Sequence, residues 1–481
     1  MSHPGRARQA EQFRFPSPFS ALLCAAALLS PAAQVAAAVS SAAQGALPSE
    51  RAPPPTYTAL VYDREYPYIG YSNTPVDNDV AHLQQRLASG KAKLEFQGPS
   101  GYLQSLLKAL HIDPSSQTLV FSKTSLQAQM ISPATPRAIY FNDDTYVAYV
   151  PNTGVLEIST MDSLMGAVFY TLDNRQDQTS HFERETLRCL SCHDTFSLGG
   201  GGVPSFLFLS AYNVDKGTVL TNTVANPVTD ETPLEDRWGG WYVTGRLGGI
   251  VHLGNILPAP PGQTLRVSQL HPRDIDTVDG LLDTRPYLND KSDAVALLVF
   301  EHQVDVHNLI IHANYKSRML LERETPGSST RQLSFAQLSP SMQQRFKSLL
   351  EPLVTGLLFV HAAPLHAPVS STSGFDQWFQ ALGPRDQQGR SLRDLDLRTR
   401  LFRHPLSFLI YSQGFDYLPG CAREYVYQRL DEILSGRDTS ETYAQLSALE
   451  RRSIYEILKA TKPDFAAFVA KSGSPSAPPA S

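Results

Sequence analysis

Cysteine is scarce in this chain of 481 residues. There are four, too few to staple a fold of this size, so a hydrophobic core must hold it together. A basic excess is also missing: 41 Lys and Arg stand against 46 Asp and Glu, a net charge of -5, which offers nucleic acid no chain-wide footprint. Beyond the N-terminus no uncharged apolar run reaches the length of a membrane span. No repeat of solenoid period occurs, and HExxH, GxSxG, EF-hand and phosphate-loop patterns are absent. What is present is 42% hydrophobic and 9% aromatic content, enough for a packed core and against a wholly disordered or collagen-like chain.

The N-terminus reads as an export signal. Arg6, Arg8 and Arg14 form a positive segment, Phe19 to Leu29 an apolar one, and small residues allow cleavage after Ala38. A membrane anchor is the alternative, but the apolar run is about half of what a bilayer needs. Cys24 follows Leu22 and Leu23, unlike a lipoprotein cysteine. The mature protein is therefore expected to be periplasmic or secreted, with no membrane span.

The composition predicts an α+β organisation. Residues 39–56, rich in Ala, Ser and Pro, read as a disordered linker, and 471–481 as a disordered tail. Residues 57–170 form a mixed α/β region, with helices at Val80–Leu87 and Leu103–Leu110. Short strands follow at Thr118–Phe121, Ala138–Phe141, Tyr146–Val150 and Leu156–Ile158. Residues 171–290 are rich in Gly, Pro, Asn and Asp and read as loops, where function often sits. The 291–470 region is helical. Ser292 reads as the N-cap of a helix to Arg323, and further helices are expected near 341–360, 392–411, 421–435 and 446–460.

Cys189, Leu190, Ser191, Cys192 and His193 spell CxxCH, the attachment signature of c-type haem. Two thiols at this spacing add to the two vinyl groups of one haem, and the adjacent imidazole becomes the proximal iron ligand. The composition yields such a string by chance only about once in a thousand chains of this kind. A thioredoxin-like CxxC pair and half of a zinc site remain as alternatives. The first wants a βαβ setting and the second more ligands at similar spacing. Thioether attachment occurs outside the bacterial cytoplasm, in keeping with the export signal. The glycines at 199–202 form either a segment that can approach a flat ligand closely or a flexible loop.

No methionine follows at the distance a small cytochrome c would use; the next after His193 is Met319. A histidine or an open sixth position is expected instead. At 100° per residue, His302 falls within the apolar stripe of the helix beginning near Ala294, His307 lies beside Phe300, and His312 faces outward. His302 is thus the first distal candidate and His307 the second, with core roles as the alternative; His252 and His181 are weaker candidates. Arg237 and Arg246 flank an aromatic run containing Trp238, Trp241 and Tyr242, which suits propionate partners and a haem wall, or else core. Cys421 reads as a buried thiol.

These residues resemble a group of exported bacterial proteins described as cytochrome c-like. The resemblance rests on Leu119–Gln127, Pro136–Asp144, the CxxCH, Arg237–Gly245, Phe300–Gln303 and Phe408–Pro419, and spans about residues 60–465. It implies haem binding, iron ligation and electron transfer. The expected function is an exported single-haem c-type cytochrome that exchanges one electron at a time with a redox partner protein. A haem enzyme with an open distal site and a haem-free binding protein are the alternatives.

Overall fold

Asn78 starts the first helix: its side chain accepts the Ala81 N–H at 3.0 Å and caps α1 (Asp79–Ala88). A second helix, α2 (Leu103–Ala109), follows before the chain turns to strands. The computed structural model describes residues 63–66, 69–176, 180–195, 201–215, 218–220, 225–258, 265–266, 274–324 and 333–473. The expected signal peptide, the 39–56 linker and residues 474–481 lie outside the described residues.

Six strands form one antiparallel sheet in sequence order: β1 (Thr118–Val120), β2 (Arg137–Phe141), β3 (Thr145–Tyr149), β4 (Val155–Asp162), β5 (Gly166–Asp173) and β6 (Phe182–Arg184). Tight turns join β2 to β3, β3 to β4 and β4 to β5. Between β2 and β3 the Asn142 side chain accepts the N–H groups of Asp144 and Thr145 at 3.1 and 2.8 Å. Gly166, at φ 69°, opens β5, and a Cβ there would meet Ile311 at 2.7 Å. The register places Ile139 beside Ala148, Ala148 beside Glu157, Tyr146 beside Ser159, and Ser159 beside Phe169. Because side chains alternate, Arg137, Ile139, Tyr146, Ala148, Glu157, Ser159 and Phe169 share one face. On the other face Tyr140, Val147, Leu156, Val168 and Leu172 are fully buried.

After the one-turn helix α3 (Leu190–His193), the described residues up to 290 are loops with short strand pairs and a 3-10 turn at Leu234–Asp236. The central element is α4 (Ala294–Glu324). Asp293, not the expected Ser292, caps it: one Asp293 oxygen accepts the Val295 and Ala296 N–H groups, and the other takes Thr372 and Ser373 N–H. The Ser292 hydroxyl instead ties Leu119 N–H to the Tyr242 carbonyl. In length and composition α4 could cross a bilayer, yet 83% of its most apolar window is buried inside the protein. The remaining helices are α5 (Pro340–Leu357), α6 (Phe375–Ala381), α7 (Gln413–Asp416), α8 (Gly420–Leu434), α9 (Ala448–Thr461) and α10 (Pro463–Ser472).

The architecture is thus α+β, an N-terminal sheet followed by a mainly helical region. One expected helix is absent. Residues 392–407 are loop because Asp394 and Asp396 accept backbone N–H groups of Ser391, Arg398 and Thr399, Leu397 sits at φ 55°, and Pro405 cannot donate.

Candidate functional site

Cys189, Cys192 and His193 all line one cavity of about 410 Å³, within the range of small-molecule and cofactor sites. α3 and the loop after it form one wall. The sheet face supplies a second through Arg137, Tyr146, Glu157 and Phe169, and α4 closes a third with Phe300 and Val304.

The imidazole of His193 is held by a two-point clasp. Its Nδ1 lies 2.8 Å from the Ser205 carbonyl, and the Ser205 N–H donates to the His193 carbonyl at 2.8 Å. A carbonyl can only accept, so Nδ1 carries the proton and Nε2 keeps its lone pair. Asn308 on α4 fixes the clasp from behind: it accepts Phe206 N–H at 2.9 Å and donates to the Phe206 carbonyl at 3.0 Å. The ring packs on Phe169 with centroids 4.3 Å apart. Burial pulls its pKa down to about 4, so the ring is neutral at neutral pH, as a metal ligand must be.

Both thiols are free. Burial pushes the Cys189 thiol up to about 12, the reverse of the depressed thiol pKa that marks a reactive CxxC redox pair. Among the described residues no group of three or more His, Cys, Asp or Glu could hold a metal ion, so the zinc half-site finds no completing ligands there. The donor set fits a c-type haem: two thiols and a neutral imidazole of fixed tautomer on one cavity, with aromatic walls from Tyr146, Phe206, Trp241 and Phe300.

Charges at the cavity come from residues the sequence reading did not single out. Arg137 on β2 pairs with Glu157 on β4, across the intervening β3, at 3.5 Å, and its Nε has no hydrogen-bond partner. Burial lowers the Arg137 pKa, opposed by Glu157. Such an arginine fits a haem propionate. The available signal was a charge pair at inward positions of strands that otherwise bury apolar side chains.

The structure takes Arg237 and Trp238 elsewhere. Arg237, buried, pairs with Glu301 and donates to the Thr232 and Asp230 carbonyls, and Trp238 Nε1 donates to Glu301 at 3.1 Å. Together they anchor a loop to α4. Trp241, from the same run, does reach the cavity, stacked on Phe208.

Neither expected distal histidine lines the cavity. His302 is fully buried among Phe359, Phe402 and Phe408, its Nδ1 2.6 Å from Asp230 and its Nε2 2.9 Å from Ser407. This Asp–His–Ser order resembles a hydrolase triad, but Ser407 is fully buried and caps a 3-10 turn at Leu409 N–H, so it serves as a lock. His307 sits behind Tyr146 and Phe206, with Nδ1 3.3 Å from the Tyr146 hydroxyl. The wheel misled because α4 is sandwiched: Phe300 and Val304 face the cavity, and His302 faces the helical region, equally buried. His252 is buried against Trp238 and bonded to Gly254 N–H, and His181 is exposed. Cys421 is buried as expected.

A second cavity of about 430 Å³ lies beside Asp230, Arg237 and Phe402. It holds none of the CxxCH residues. Comparison of the chain with protein-family models, with curated proteins and with solved structures finds no match.

One pH dependence follows from buried histidines. Burial lowers His252 from 6.5 to about 4 and His307 to about 3, so below pH 6.5 the unfolded chain binds protons that the native chain refuses. The contribution of these two histidines is therefore whole above 6.5 and falls as pH drops toward 4, while the buried carboxyls of Asp144 and Glu301, raised to about 7, act in the opposite sense. Replacing one histidine isolates its share: between pH 7 and pH 5 the denaturant midpoint of the unaltered chain should move further down, relative to its pH 7 value, than that of His252→Gln.

Proposed function

We propose that this chain binds one haem c in the CxxCH cavity, through thioethers at Cys189 and Cys192 and with His193 as proximal ligand, and acts in one-electron redox chemistry outside the cytoplasm with a redox partner protein. The observation that carries this reading is the clasp: Ser205 fixes the His193 tautomer and leaves Nε2 free on the cavity that both thiols share. Bound haem would supply a one-electron iron couple. This chain's own residues orient the ring, exclude water with Phe169, Phe300 and Trp241, and place Arg137 where a propionate can pair.

A specific observation favours the open-site variant over a sealed electron carrier. Among the described residues lining the cavity, His193 is the sole histidine and there is no methionine, so the lining offers a bound haem no second imidazole and no thioether, and a small ligand would have access to its iron. The test is the mass of the denatured chain after expression with haem c maturation. One haem per chain is expected; a bare chain sinks the proposal and leaves the haem-free binding protein.

A further inference from the structure

The cavity wall contains one side chain that faces a base and an acid in sequence. The Tyr146 ring lines the cavity, while its hydroxyl accepts a hydrogen bond from Gln303 Nε2 at 2.8 Å and lies 3.3 Å from His307 Nδ1. With Gln303 donating, the phenolic proton is directed to His307 Nδ1, and the remaining His307 proton sits on Nε2. That nitrogen is buried without a hydrogen-bond partner and lies 3.8 Å from Asp144 Oδ1, itself buried without one. Two orphaned polar atoms facing each other inside a protein are costly to keep.

We propose that Tyr146 is a redox-active tyrosine, oxidised through the haem while its proton passes by way of His307 to Asp144. The proposal rests on the open-site reading above and names hydrogen peroxide as oxidant. Reduction of peroxide to two waters takes two electrons and two solvent protons; a bound haem would supply one electron from its iron, and Tyr146 supplies the other. The Tyr146 O–H bond breaks as His307 Nδ1 gains that proton, and the His307 Nε2–H bond breaks as Asp144 gains the second. Tyr146 is left as a neutral radical, and His307 ends neutral with its tautomer exchanged.

The surroundings suit this relay. Burial disfavours a charged His307, with His302 adding to that, so it passes a proton rather than holding one. Burial, Asp143 and Asp79 raise Asp144 to about 7, and Arg393 opposes them, which makes its carboxylate a proton acceptor near neutral pH. The other cavity aromatics lack a base: Trp241 Nε1 donates to the Leu209 carbonyl at 2.8 Å, and Tyr170 bonds to Asn78.

The test is electron paramagnetic resonance of the ferric holoprotein frozen after adding hydrogen peroxide, with haem content and carbon monoxide binding checked first. An organic radical is expected whose hyperfine structure narrows when the unaltered chain is made with ring-deuterated tyrosine. The signal should be lost in Tyr146→Phe, diminished in Asp144→Asn and kept in Trp241→Phe. A signal unchanged in Tyr146→Phe, insensitive to ring deuteration, or absent from haem-loaded protein that binds carbon monoxide overturns the proposal alone. A chain without haem, or one insensitive to carbon monoxide, overturns it together with the reading beneath it.

Discussion

Replacing Cys189 and Cys192 together with alanine is expected to abolish covalent haem attachment, seen as the bare-chain mass after denaturation. In the proposed attachment each thiol would form one thioether, so either single variant should keep a one-bond adduct and only the double variant should lose all of it. His193→Ala should differ from both: the thioethers remain, and added imidazole should restore the axial-ligand spectrum, because the Ser205 carbonyl that orients the ring and the Ser205 N–H bond to the backbone at position 193 are both kept. A double variant that still carries covalent haem would place the attachment elsewhere.

Glu301→Ala should be the most destabilising single change named here, at about 3–5 kcal/mol, the range for breaking a buried ion pair by removing one partner. It strands the Arg237 guanidinium, which is 4% exposed, and removes the acceptor of the Trp238 N–H. Burial raises Glu301 to about 7 even against Arg237, so desolvation is large and the pair must be judged as a unit. Glu301→Leu with Arg237→Met should recover much of the loss, since apolar replacement of both partners is often neutral. Denaturant unfolding of the three proteins checks this; equal loss in the single and double variants would contradict it.

The Phe300–Gln303 run explains how much of the site the sequence could disclose. Phe300 lines the cavity, Glu301 holds Arg237 and Trp238, His302 locks Asp230 to Ser407, and Gln303 donates to the Asn142 carbonyl and Tyr146 hydroxyl. Three of these four consecutive side chains tie three segments, the 230–238 loop, Ser407 and the 142–146 turn, to one helix. Periodicity reports which positions are apolar, not which of two buried sides faces a ligand, and so it favoured His302. CxxCH was legible because its chemistry is local. Arg137, Ser205 and Asn308 were not, because each acts through contacts with residues distant in sequence. The same distinction runs through the fold. The capped α1 and the β-branched runs of β2 and β3 are local signals, whereas β5, with its run Gly166–Asp173, is defined by pairing with β4, and the 392–411 stretch lost its helix to Asp side chains that capture backbone N–H groups.

The central claim is an iron held by His193 with no protein ligand opposite it, and carbon monoxide titration of the ferrous protein tests it most directly. The account predicts stoichiometric binding, with a shift of the main haem absorption band as the sixth position fills. A six-coordinate, low-spin spectrum that carbon monoxide leaves unchanged would contradict it.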